Sequence, residues 1–216
     1  MLKTVTTLLE HGGFQRIRDV QARVATRYGN ENVDALLNDR ILYPKSLFGG
    51  LNIIFVTCAS SKQEIDLREF VDGAKHALLT TVQYMRGKSI MQSLKSDTQL
   101  KDDVNDFLTN AFAPDLYKKL LLTHDQLKNP TWYLTPQRIK SCSVVQAGYQ
   151  QNELEEHVHF QIDSKISCIM QPIVQTKEVI NDKVIDVTVK ATFSTRIHDD
   201  QSLDWIITNL NLTTKK

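Results

Sequence analysis

Between Val184 and His198 the chain alternates strictly. Ile185, Val187, Val189, Ala191, Phe193 and Ile197 share one parity with Thr195, while Asp186, Thr188, Lys190, Thr192, Ser194, Arg196 and His198 hold the other. A period of two predicts a strand with one dry and one wet side. A second alternation precedes it, with Val158, Phe160, Ile162, Ile166, Cys168 and Met170 set against His157, His159, Gln161, Asp163, Lys165 and Ser167. Ile173 to Ile180 reads as a further strand. Asn181-Asp182, both tolerant of positive φ, predicts a two-residue hairpin turn into the first pattern. That register sets Lys177 opposite Asp186 and Val174 opposite Val189, an ion pair on the wet face and an apolar pair on the dry one. A turn at His198-Asp199-Asp200 leads to a last strand, Leu203 to Leu212, anchored by Trp205.

The period is different upstream. Asp66 followed by Glu69 is a helix-start pattern. Leu67, Phe70, Val71, Ala74, Leu78, Val82 and Met85 then recur at three- and four-residue steps, an amphipathic stripe that ends at Gly87. Gly73 inside that helix costs about 1 kcal/mol against alanine, which suggests a close backbone approach to the sheet. Leu100, Val104, Phe107, Leu108 and Ala111 mark a second helix, and Pro114 starts a third carrying Leu116, Leu120 and Leu127. Pro130 and Pro136 read as brackets of a loop holding Trp132 and Tyr133, Ile139 to Gln146 as a short strand, and Gly148 to Glu156 as a polar connection. Asn30 to Leu42 reads as a short helix stopped by Pro44. Residues 1–60 otherwise lack a sustained period. The expected organisation is therefore an extension over residues 1–59 and one domain over 60–216. Its fold class is α+β: helices first, packed on a curved antiparallel sheet of about four strands.

Composition narrows the function without naming it. Lys+Arg 26 against Asp+Glu 25 leaves a net charge of +1, so global electrostatics supply no case for binding DNA. Three widely spaced cysteines, Cys58, Cys142 and Cys168, form no CxxC pair and read as buried free thiols of a reducing compartment. No run reaches the 18 or more apolar residues of a bilayer span. The nearest is the uncharged stretch 47–59, broken by Gly49 and Gly50.

Three patches are similar to one family. Glu69-Phe70-Val71-Asp72-Gly73-Ala74-Lys75 resembles the opening helix of the C-terminal domain of the mitochondrial import-motor anchor and its relatives. Pro114-Asp115-Leu116-Tyr117 resembles that family's Pro-x-Leu-Tyr helix start, and Asp204-Trp205 its closing strand. The resemblance covers about residues 60 to 212. It implies a cone-shaped, nuclear-transport-factor-like fold and a mitochondrial, matrix-facing adaptor without enzymatic activity, cofactor or metal. The implied partners are the matrix AAA protease, newly made inner-membrane proteins and the mitochondrial ribosome, with peripheral contact to the inner membrane. It also implies that the first 28 residues, with Lys3, Arg16, Arg18, Arg23 and Arg27 and several threonines, act as a presequence, although Glu10 and Asp19 depart from that pattern. Two other readings stay open: a subunit of the mitochondrial large ribosomal subunit, and a cone-fold isomerase or dehydratase.

Catalysis in such a fold needs a titratable group in a dry pocket. The apolar parities of the two long strands offer only Ser164 and Thr195 as polar residues, while His157, His159, Asp163, Asp186 and His198 fall on the wet side. His157-x-His159 has a spacing that metal sites use, but no third ligand is identifiable. It reads as a solvated strand face. For contact with membrane or partner, the uncharged cluster Leu47, Phe48, Leu51, Ile53, Ile54 and Phe55 is the candidate.

Overall fold

The computed structural model describes residues 2–60, 62–87, 102–126, 132–152, 155–173, 183–197 and 203–214. Among these, four strands form an open antiparallel sheet in the order β1-β2-β3-β4: β1 (Trp132–Gln151), β2 (Glu156–Pro172), β3 (Lys183–Ile197) and β4 (Ile206–Thr214). Helices α1 (Leu2–Arg27), α2 (Asn30–Asn38), α3 (Leu47–Thr57), α4 (Leu67–Arg86), α5 (Asp102–Ala111) and α6 (Pro114–Gln126) precede it. Helices first and a sheet after is the α+β order that the two periods predict. The residues gather into two compact units, one of Met1–Gly73, Cys142–Asp163 and Ala191–Trp205, the other of Ala74–Ser141, Ser164–Lys190 and Ile206–Lys216.

In the first unit the dry parity of β2 and β3 is the core. Val158, Phe160, Ile162, Ala191, Phe193 and Ile197 are all buried. Phe70 of α4 joins them, its ring centroid 4.8 Å from Phe160, 5.7 Å from Phe193 and 4.5 Å from Trp205. Tilted and edge-on pairs of this kind add roughly 0.5–1.5 kcal/mol each beyond the area they bury. The Asp66 carboxylate caps α4, Oδ1 accepting from Arg68 N at 2.7 Å and Glu69 N at 3.1 Å. In the second unit Ile166, Cys168, Val187 and Val189 are buried beside Leu78, Val82, Leu108, Phe112 and Leu116. Tyr84 and Phe107 lie 4.9 Å apart there.

Both sheet edges are partly covered, which blunts the tendency of open edges to recruit other strands. Along β1, Tyr43 N donates to Val144 O at 3.0 Å and Val144 N to Ile41 O at 2.8 Å. Asn52 Nδ2 donates to Ala147 O at 2.7 Å. On β4, Ala113 N donates to Ile207 O at 2.9 Å, just ahead of Pro114.

Several expectations change. Trp132, Tyr133 and Pro136 belong to β1 and not to a loop, because an edge strand leaves one row of N–H groups without a ladder partner and so accepts proline. The connection expected over 148–156 shrinks, since β1 runs to Gln151 and β2 resumes at Glu156. Asn152 closes that turn, its N–H donating to Glu155 O and its Oδ1 accepting from Glu155 N at 2.7 Å. Gly73 is exposed, and a Cβ there would meet nothing within 4 Å, so it marks no close approach.

Helix α2 stops earlier than Pro44 would require. Arg40 takes φ 57, its N–H bonding Leu37 O while Ile41 N bonds Leu36 O, a Schellman ending. Residues 1–60, without a sustained period, form three helices. The hairpin at Asn181-Asp182, the Lys177–Asp186 and Val174–Val189 pairs, Leu127 and the turn at 198–200 lie outside the described residues.

Candidate functional site

The candidate contact segment is helix α3. Ser46 caps it, its hydroxyl accepting from Gly49 N at 3.1 Å. The preceding Pro44 lies so close that a Cβ on Gly50 would come within 3.1 Å of its ring. The two glycines thus allow the 43–46 segment to fold back on the first helical turn.

At about 100° per residue, Leu47, Phe48, Leu51 and Phe55 occupy one side of the helix, and Asn52, Ile53, Ile54, Val56 and Thr57 the rest. The structure follows that division. Leu47 is 79%, Phe48 67% and Leu51 47% exposed, against 0% for Ile53 and 4% for Ile54, with Phe55 half-buried. Ile53 and Ile54 are therefore core residues and leave the candidate surface. Their turn faces inward because α3 packs against α1, with Thr4 Oγ1 donating to Asn52 Oδ1 at 3.0 Å. Tyr43, 71% exposed, and the exposed cations Arg40 and Lys45 precede the same end of the helix.

A second cluster escaped the parity reading. Glu156 stands two residues before Val158 on the dry parity of β2 and is buried. Its Oε1 accepts from Arg16 at 2.9 Å, and the same guanidinium nitrogen donates to the Tyr149 hydroxyl at 2.8 Å. Tyr149 in turn donates to Gln151 Oε1 at 3.0 Å. Burial, and then the Glu156 charge, push the phenol well above its ordinary pKa. Glu156 Oε2 and Arg16 Nε are buried without a partner.

Gly12 makes the reach possible: a Cβ there would sit 2.6 Å from Arg16 Cδ, so the arginine stem folds over bare backbone. The signal was in the alternation itself, which extends to Glu156 once β2 is allowed to begin there. The dry parity thus carries a carboxylate in addition to Ser164 and Thr195. That carboxylate is held by a cation, which leaves it poorly suited to act as a free base.

The wet-side imidazoles differ from each other. His157 Nε2 lies 2.9 Å from Glu155 Oε2, and Arg196 holds the other oxygen of that carboxylate at 3.1 Å. His159 is half-buried, and burial alone lowers its pKa. Its ring lies over Gly148, where a Cβ would fall 2.1 Å from Cε1. Both imidazoles line a cleft of about 530 Å³ with Thr7, Gln150, Asn152 and Ser194. Among the described residues no three His, Cys, Asp or Glu side chains are grouped to hold a metal ion. Cys58, Cys142 and Cys168 are buried thiols outside any disulfide. Among the described residues no helix is long and apolar enough to cross a membrane. No family model matches the chain, and no curated protein matches it.

Proposed function

We propose that this chain is a non-enzymatic adaptor similar to the matrix AAA peptidase-interacting protein, working in the mitochondrial matrix at the inner-membrane surface. Its partners on this reading are the matrix AAA protease and newly made inner-membrane proteins, with the ribosome nearby. The observation that carries the proposal is the outward face of α3. Leu47, Phe48 and Leu51 project from a capped helix beside Lys45 and Arg40, an apolar tip with a basic collar. Large apolar side chains clustered in solvent mark a place where something docks, and a basic collar suits an anionic membrane surface. The helices-then-strands order and the tied state of Glu156 support the non-enzymatic part.

The test combines flotation on cardiolipin-containing vesicles with affinity purification from mitochondria, comparing the parent chain with the Leu47→Asp/Phe48→Asp variant. Loss of vesicle binding or of co-purifying protease and clients is expected, with the circular dichroism of the parent retained. Unchanged binding in both assays would overturn the proposal. Stoichiometric retention on large ribosomal subunits through a high-salt wash would favour the ribosomal reading instead.

A further inference from the structure

In the second unit the wet face of the sheet has a charge pattern that the balanced net charge conceals. Arg138 and Lys140 on β1, Lys165 on β2 and Lys190 on β3 are all exposed. Asp186 on β3 is the single acid that this unit's described strand residues contain. Lys140 Nζ contacts Asp186 Oδ1 at 2.6 Å, and the Lys140 and Lys165 charges both hold the Asp186 carboxyl below its ordinary range, so the three share one face across adjacent strands. Lys190 follows Asp186 by four residues and Arg138 precedes Lys140 by two, which keeps each on that side. Arg138, Lys165 and Lys190 form no ion pair among the described residues.

We infer that this face docks the phosphate backbone of RNA. Strands are spaced about 4.8 Å apart and same-face residues about 7 Å along each strand, which presents the cations as a flat grid with Thr188 between Asp186 and Lys190. Such a grid meets a line of phosphates without base readout. Ser167, which follows Lys165 on this parity, and Thr188 and Thr192, which flank Lys190, are hydroxylic. A hydrophilic polyanion therefore suits the face, and a bilayer, which rewards inserted apolar side chains, does not. The Asp186 carboxylate keeps Oδ2 to accept from a ribose 2′-hydroxyl, a donor that RNA has and DNA lacks. This surface is separate in sequence from Leu47, Phe48 and Leu51, so either assignment can fail without the other.

Fluorescence anisotropy with a labelled RNA hairpin, its DNA counterpart and cardiolipin vesicles tests the inference. Four phosphate contacts predict a loss of RNA affinity of roughly 50- to 150-fold between about 50 and 200 mM salt. Lys165→Gln/Lys190→Gln is expected to weaken RNA binding by about 10-fold or more at low salt and to flatten the salt dependence by about two ion equivalents. Asp186→Asn is expected to narrow the preference for RNA over DNA. Lys45→Gln, on the α3 side, is expected to leave RNA binding unchanged. Absence of RNA binding, binding indifferent to the Lys165/Lys190 change, or a Lys165/Lys190 effect seen on vesicles but not on RNA would each overturn the assignment.

Discussion

Arg16 and Glu156 are 140 residues apart in sequence and 2.9 Å apart in space. Both are largely buried, with side-chain exposures of 14% and 5%, so removing one partner strands the other's charge. Arg16→Ala is expected to cost about 3–5 kcal/mol, the usual penalty for a buried pair broken on one side. Arg16→Met/Glu156→Leu is expected to cost less than Arg16→Ala alone, because no uncompensated charge remains. Urea denaturation of the single and double variants measures both. A double variant that loses as much as the sum of its singles would show that the two groups are not coupled. Two other arginines of α1 have similar work, Arg23 donating to Ser60 O and Arg27 to Glu64 at 2.8 Å. Three of the five basic residues that make this segment look like a presequence, Arg16, Arg23 and Arg27, are thus ones that tie it down.

At the level of elements, two glycines in helices behave oppositely. Gly13 interrupts α1 with φ 63 and ψ −163, a conformation that side chains with a Cβ rarely adopt. Gly73 in α4 is exposed and meets nothing. Gly13→Ala is expected to destabilise by about 1–3 kcal/mol through backbone strain, whereas Gly73→Ala is expected to stabilise by about 0.5–1 kcal/mol as an ordinary helix-interior replacement. Thermal unfolding of the two variants decides the matter, and shifts of the same sign would defeat the account.

The contrast also shows what the chain's pattern discloses. Strands β2 and β3 and helix α4 were legible because one face of each is buried and the other wet, which writes the period into the sequence. Helix α3 was not, because its apolar residues surround it and only burial separates Ile53 from Phe48. Helix α1 was not, because it buries Thr4, Leu8 and Val20 while arginines hold much of the rest. Ile139 to Gln146 of edge strand β1 were legible, but its start hid behind Pro136, a residue that would have ended a central strand. Of the candidate surface, Leu47, Phe48 and Leu51 were legible, while the Arg16–Glu156 pair required a contact across 140 residues of sequence that no local pattern encodes.

For the molecule as a whole, buried titratable groups set the pH range of stability. His159 has a lowered pKa in the folded chain because burial disfavours its charged form. Below about pH 6.5 the unfolded chain takes up this proton while the folded chain does not. Stability that is complete above the unfolded value is therefore lost as pH falls through that range and on to the folded pKa. Tyr149 works at the other end, its pKa raised by burial and the Glu156 charge. Above about pH 10 the unfolded phenol ionises while the folded one stays protonated, so stability falls again as pH rises. The carboxyl of Asp186 is also lowered by Lys140, but it is only half-buried, water screens the pair, and it contributes little to this balance. Burial also raises the thiols of Cys58 and Cys168, and the unfolded thiols ionise from about pH 8.5, so the expected profile is a plateau from about pH 6.5 to 8.5 with a decline on each side. Urea unfolding midpoints across pH measure it, with two variants that separate the flanks. His159→Gln is expected to flatten the acid decline and leave the alkaline one, whereas Tyr149→Phe is expected to leave the acid decline and reduce only the part of the alkaline one above about pH 10. An acid flank that survives His159→Gln unchanged would show that the imidazole over Gly148 is not the group that governs it.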